Sequence, residues 1–187
     1  MAREAPDLWH AAPRGGEGFA TEEDYEHGYK REVRHDLQQY IAFRVGSERY
    51  GVSIGDVSEI SMVLGITPVP RTADFVQGIA NIRGVVIPVV ELSTRLLLTR
   101  EQQPPRPRLL IVRHEEELYG LLVDEVYAVV TIAPEALEDA PAALTGARGD
   151  YIRALARDEG EILIILDLTT VLDARDFVVA GARGIGR

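Results

Sequence analysis

Tyr50-Gly51-Val52-Ser53-Ile54 and Tyr119-Gly120-Leu121-Leu122-Val123 are one pattern written twice, 69 residues apart. The match extends outward in both directions. Upstream, Ile41, Ala42, Phe43 and Arg44 fall on Leu110, Ile111, Val112 and Arg113; downstream, Val57 and Ile60 fall on Val126 and Val129. Seven residues then enter the second copy and the offset becomes 76, so that Phe75, Val76, Ile79 and Ala80 meet Tyr151, Ile152, Leu155 and Ala156. Gly84, Val86, Ile87 and Leu92 meet Gly160, Ile162, Leu163 and Leu168 at the same offset. Each copy alone is near the size at which one core becomes marginal, so the duplication predicts two similar small units sharing a core. Positions where the copies differ become the candidates for function.

The 187 residues leave room for one compact domain or two fused half-domains. A net charge of −10 argues against sequence-independent nucleic-acid binding and against anionic membrane surfaces, both of which need a basic face. The chain has no cysteine, which removes disulfides, thiolate metal sites and a cysteine nucleophile. Residues 1–18 lack the continuous apolar stretch of a signal peptide, and no run approaches a membrane span, so a cytoplasmic protein is expected.

Residues 1–36 carry nine acids and five bases with few apolar residues, a composition that cannot offset its ordering entropy, and a disordered acidic tail is expected there. From Gln39 onward, short apolar runs alternate with turn signals, which predicts a mainly β domain over 37–174. Its repeat units are 39–98 and 108–172, joined by a Pro-rich linker at 99–107. Strands are expected at Tyr40–Val45, Arg49–Ile54, Ile60–Leu64, Val85–Glu91, Arg108–Arg113, Leu118–Val123, Tyr127–Ile132 and Ile162–Asp167. Gly46-Ser47 and Glu115-Glu116 should turn equivalent hairpins. The every-third spacing of Ile54, Val57 and Ile60, repeated at Val123, Val126 and Val129, suits a helical turn or a bulged crossing. Thr72–Ile82 and Asp150–Arg157 read as a short helix or turn, Leu168–Val179 as a terminal helix, and 175–187 as a tail frayed at its end.

Catalytic and cofactor signatures are missing. GxxxxGK[ST] does not occur, and three of the four histidines lie in the tail, leaving His114 alone at a turn. No serine stands in a strand-turn-helix elbow. No catalytic residue, metal or cofactor is therefore expected. One stretch differs in kind: Gly78-Ile79-Ala80-Asn81-Ile82-Arg83-Gly84 has Ala154-Leu155-Ala156-Arg157-Asp158-Glu159-Gly160 as its second copy. Only Gly84 and Ala80 survive, and Asn81 and Arg83 have no like-for-like counterpart. Arg83 is either a solvated loop residue or a functional one.

Over about residues 39–172 the chain resembles the CheW family of chemotaxis coupling proteins. The resemblance is carried by Tyr50-Gly51-Val52, Val57-Ser58-Glu59-Ile60, Pro68-Val69-Pro70, the run from Phe75 to Leu92, and Gly120 to Val126. It implies two SH3-like five-stranded barrels around a shared core, with short helical turns and a C-terminal helix. It also implies a non-catalytic adaptor that bridges the cytoplasmic tips of methyl-accepting chemoreceptors to the regulatory domain of a CheA-type histidine kinase. Such a protein is cytoplasmic and recruited to receptor arrays at the inner membrane, with no nucleic acid and no direct insertion. Val57, Gly78 and Glu59 are the implied receptor-binding positions; Asn81 and Arg83 are assigned to kinase coupling. Val57 has Val126 as its like-for-like partner and is equally well a core residue.

Glu59 maps onto Ala128 and Arg83 onto Glu159, so both members of an ion pair are present in one copy and absent from the other. A Glu59–Arg83 pair is expected on that ground. Gly78→Arg is expected to weaken receptor binding at unchanged stability unless the glycine is structural. Two other readings stand beside the adaptor: an SH3-like peptide-binding scaffold outside chemotaxis, and a small acid/base enzyme.

Overall fold

The runs Tyr40–Val45 and Leu109–Val112 are apolar at nearly every position, which a strand tolerates only if both of its faces are buried. A computed structural model, which describes residues 37–63, 65–98, 106–141 and 149–177, shows how that happens. The elements are β1 (Gln38–Val45), β2 (Glu48–Ser53), β3 (Val57–Met62), β4 (Ile66–Thr67), β5 (Val76–Ile82), β6 (Val85–Glu91) and α1 (Leu92–Arg95). They continue as β7 (Arg108–His114), β8 (Glu117–Val123), β9 (Glu125–Ile132), β10 (Ile152–Asp158), β11 (Glu161–Leu166) and α2 (Leu168–Val171).

The strands form two sheets, β9-β1-β2-β11-β10 and β3-β7-β8-β6-β5-β4. Under the repeat, β9 corresponds to β3, β1 to β7, β2 to β8, β11 to β6 and β10 to β5, so the two sheets have the same order. Even the parallel contacts correspond: Ile165 opposes Gly51 and Val89 opposes Gly120. Each sheet nevertheless mixes the two halves of the chain. The first hairpin, β1-β2, is built into the sheet of β9, β10 and β11, and the second hairpin, β7-β8, into the sheet of β3, β5 and β6. This exchange of hairpins is why the repeat units of the sequence are not the units in space.

Alternation along β1 and β7 then sorts their side chains. Tyr40 and Ala42 join Ala154, Ala156, Leu163 and Ile165 in one cluster, and Leu109 and Ile111 join Ala80, Ile82, Ile87 and Val89 in its counterpart. The intervening Ile41, Phe43, Val45, Leu110 and Val112 enter a third cluster shared by both sheets, with Tyr50, Val90, Leu121, Leu166 and Val171. Two barrel interiors and one common core thus account for both faces of the central strands.

Three expectations from sequence are corrected. Thr72–Ile82 and Asp150–Arg157 are not helical: β5 and β10 occupy them, preceded by turns at Asp74-Phe75 and Gly149–Tyr151. A bulge lies at the same place in each copy, between Val76 and Gly78 and between Ile152 and Ala154. Shifting the alternation by one residue there gives the apolar residues a helix-like spacing. The Leu168–Val179 helix is one α turn, ended at Leu172 and followed by a 3-10 turn at Ala174–Asp176. The Asp173 carboxylate accepts from the Arg175 N–H and starts that new turn instead of continuing the old one. Residues 178 and 179 lie outside the described residues. The strand assigned to Ile60–Leu64 begins at Val57, with Leu64 outside the described residues. Ahead of it, a Ser53-capped 3-10 turn (Ile54–Asp56) and a bulge between Val57 and Glu59 produce the every-third spacing. The expectations for residues 1–36, for linker residues 99–105 and for the end of the chain also fall outside the described residues.

Candidate functional site

Glu59 comes from β3 and Arg83 from the turn joining β5 to β6. Those strands are not ladder neighbours: β7 and β8 stand between β3 and β6. In a flat sheet three ladder steps would separate them by roughly 14 Å. Yet Arg83 Nη2 lies 2.9 Å from Glu59 Oε2, so the sheet curls back on itself and the pair spans the two ends of the curl. Arg83 is 84 % exposed and Glu59 26 %, which limits what the pair contributes to stability to about 0–1 kcal/mol.

The turn that presents Arg83 is a two-residue hairpin with φ of 52° at Arg83 and 90° at Gly84. Its counterpart, Glu159-Gly160, has φ of 52° and 85°. The left-handed backbone belongs to the hairpin in both copies, and only the side chain differs. Asn81 has a structural task here, since its Oδ1 accepts from the Gly84 N–H at 2.8 Å and closes the turn beneath Arg83.

Gly78 is buried on β5 with φ of 139°, and a Cβ there would sit 2.1 Å from the Thr67 carbonyl oxygen on β4. The crossing of β4 dictates glycine at this position. Any side chain must displace that strand, so Gly78→Arg reads stability before it reads binding, against the expectation of unchanged melting. Val57 is half-buried, opposes Val112 and packs on the shared core, as its counterpart Val126 also does. The structure therefore brings Glu59, Arg83 and the Asn81 bond into one constellation, with Val57 on the same strand as Glu59, and gives Gly78 a packing role against β4.

Two arginines escaped the sequence reading. Arg49, 8 % exposed, donates to the Tyr127 hydroxyl at 2.7 Å and meets Asp158 at 2.6 Å and Glu161 at 3.0 Å, while its guanidinium lies 5.0 Å from the Tyr127 ring centroid. The bond to Tyr127, more than any other contact, holds its pKa above the usual arginine value. Arg95 is buried between Phe75 and Tyr151, which are repeat counterparts, at 4.3 and 4.9 Å from their ring centroids. It donates to the carbonyls of Val171 and Thr170 and to Asp176. Val171 is the repeat counterpart of Arg95 itself, so their contact marks the pseudo-twofold axis between the halves. The signal was available: Arg49 maps onto Leu118 and Arg95 onto Val171, charge against apolar at both positions.

Among the described residues no helix is long and apolar enough to cross a membrane, and no group of three or more metal-ligating side chains is present. Residues 39–176 match the family model described as CheW-like domain. The chain is 28 % identical to a chemotaxis protein CheW of Helicobacter pylori, over 85 % of this chain and 95 % of that protein. It is 30 % identical to one of Bacillus subtilis, over 73 % and 87 %. The scaffolding protein TtCheW from Thermoanaerobacter tengcongensis superposes with a TM-score of 0.66 at 29 % identity, covering 72 % of this chain and 86 % of that one. The sheet order, the shared core and these matches agree, and the chain belongs to the CheW family.

Proposed function

We propose that this chain is a non-catalytic adaptor that couples chemoreceptors to a CheA-type histidine kinase, working in the cytoplasm at receptor arrays. The observation that carries the reading is the match of residues 39–176 to the CheW-like domain, over a fold whose two sheets share one strand order.

A coupler needs two separate docking faces, and the repeat supplies a physical basis for them. Ile60 and Val86 on one barrel and their counterparts Val129 and Ile162 on the other are all exposed, between 43 % and 59 %. Side chains that the fold buries elsewhere are thus presented to solvent at the same place on each barrel. An apolar barrel end suits packing against another barrel, the contact expected with a kinase regulatory domain of related fold. The region around Val57 and Glu59 is the proposed receptor face, where a helical hairpin tip would lay a few apolar anchors into a groove. Glu59 and Arg83 join these regions, because one lies on the strand of Val57 and Ile60 and the other in the turn next to Val86. In this reading the pair orients two faces relative to each other.

The test is co-precipitation of the full chain with the kinase regulatory domain and with receptor signalling fragments from the same genome. The adaptor reading predicts that both are retained and that a ternary complex forms. Retention of neither, with the chain folded, contradicts it. Ile60→Asp should weaken the kinase contact while leaving the receptor contact near wild type.

A further inference from the structure

Arg113, at the end of β7, and Arg153, on β10, line one polar cavity of about 140 Å³ where β7 meets the other sheet. Asp56, Asp167, Ser53 and Thr169 line it as well. Arg49, Arg83, Arg95 and Arg175 each meet a carboxylate within 3.0 Å or closer. Among the described residues Arg113 and Arg153 meet none, although two aspartates share their cavity. Charges of both signs face one small space without closing into pairs.

The polar groups present define what would complete that space. Two guanidiniums offer forked donors suited to the oxygens of an anion. The Ser53 oxygen is already accepting from the Gly55 N–H at 3.3 Å, which leaves its hydroxyl proton to donate. One oxygen of the Asp167 carboxylate accepts from the Thr169 N–H at 2.9 Å, and the other can still accept. Asp56 has no described partner and can only accept while ionised. A bare anion would leave Asp56 facing like charge, whereas an anion that keeps a hydroxyl would give that carboxylate its hydrogen bond. We propose that this cavity binds a small oxyanion that also donates a hydrogen bond, of the hydrogen-phosphate class, with Arg113 and Arg153 holding its oxygens and Asp56 accepting from its hydroxyl.

Tyr40 also lines the cavity; burial raises its phenol pKa, and the Arg153 charge acts on it in the opposite sense. The site also has a place in the adaptor. Asp56 ends the 3-10 turn that leads directly into β3, the strand of Val57 and Glu59. An anion held there rests against the root of the proposed receptor face.

The experiment titrates the full chain with sodium phosphate and, separately, with sodium sulfate at matched ionic strength and near-neutral pH, following backbone amide resonances. Phosphate keeps a hydroxyl under these conditions and sulfate does not. A site of this kind gives saturable shifts at Ser53 and Thr169 with phosphate at least about tenfold tighter than sulfate, because a site built to accept from a hydroxyl rejects the analogue lacking it. Arg113→Gln and Arg153→Gln each weaken phosphate by about tenfold while melting as wild type without anion. Asp56→Asn narrows the preference over sulfate, since an amide can donate to sulfate where a carboxylate repels it. Equal, non-saturating shifts with both anions overturn the proposal, as does phosphate affinity unchanged in both arginine variants. A phosphate preference unaltered by Asp56→Asn overturns the role given to Asp56.

Discussion

The two barrels are built on one strand order and are pinned by opposite means. In the barrel of β9, β1, β2, β11 and β10, the nearly buried Arg49 reaches from β2 to Tyr127 on β9 and to Asp158 and Glu161 of the β10-β11 hairpin. Through the repeat those four positions become Leu118, Ser58, Ile82 and Val85 in the other barrel, where Leu118 packs on the cluster containing Ile82. At these four positions no charge is left to close that barrel. Its ends are joined at the surface, by Glu59 and Arg83. One barrel hides its charged clamp and the other displays it. A buried clamp serves the fold, because removing Arg49 leaves the largely buried Asp158 without its cation; an exposed clamp contributes little to the fold and is free to serve recognition.

The largest effect should come from breaking the hidden clamp. Arg49→Ala leaves Asp158 without its cation, and with Glu161 exposed the cost should be about 3 kcal/mol, or about ten degrees in melting temperature. The comparison sharpens if the apolar set of the other barrel is transplanted. Arg49→Leu combined with Asp158→Ile should recover most of the loss, since a well-packed apolar replacement of a buried pair is often neutral. Failure of the double change to improve on Arg49→Leu would mean that the barrels are not interchangeable at these positions.

Next in size is Gly78→Ala, which asks a single Cβ to share space with the Thr67 carbonyl at φ of 139°. A loss of about 2 kcal/mol or more is expected in chemical denaturation. Its counterpart position already carries Ala154, so Ala154→Gly should cost no more than about 1 kcal/mol. Equal effects would remove the asymmetry that β4 creates.

The smallest effect concerns the C-terminal cap. Bonds from the Arg175 side chain, and then from its backbone N–H, lower the Asp173 pKa to about 2. A depressed carboxylate contributes its stability above the unfolded pKa, and loses it as pH falls through the folded value. The turn at Ala174–Asp176 should therefore hold at neutral pH and loosen only between about pH 4 and about pH 2, a window readable in the amide resonances of Arg175. Loosening above pH 5 would contradict the capping assignment.

Much of the architecture was legible because it was written twice. The offsets located β1, β2, β7 and β8 and the hairpin turns, and the mismatch of Glu59 with Ala128 and Arg83 with Glu159 located an ion pair that the structure contains. The exchange of hairpins was not legible, since pairing β2 with β11 or with β6 satisfies the same alternation. β5 and β10 were hidden by bulges that fall at equivalent places and imitate a helical spacing. Arg49 and Arg95 are marked by standing where the other copy is apolar, but their burial was not legible, because a buried guanidinium depends on partners more than 70 residues distant that local pattern does not reveal.

The central claim is that the displayed clamp serves coupling and the hidden one serves stability. Its most direct test is a charge-reversal cycle, Glu59→Arg, Arg83→Glu and both together, with melting temperature and kinase activity in receptor-containing complexes measured on the same preparations. The account predicts melting within about two degrees of wild type for all three proteins, impaired kinase control in each single variant, and partial recovery in the double reversal. A double reversal no better than the single variants, or a loss of control that simply follows a loss of melting temperature, would contradict it.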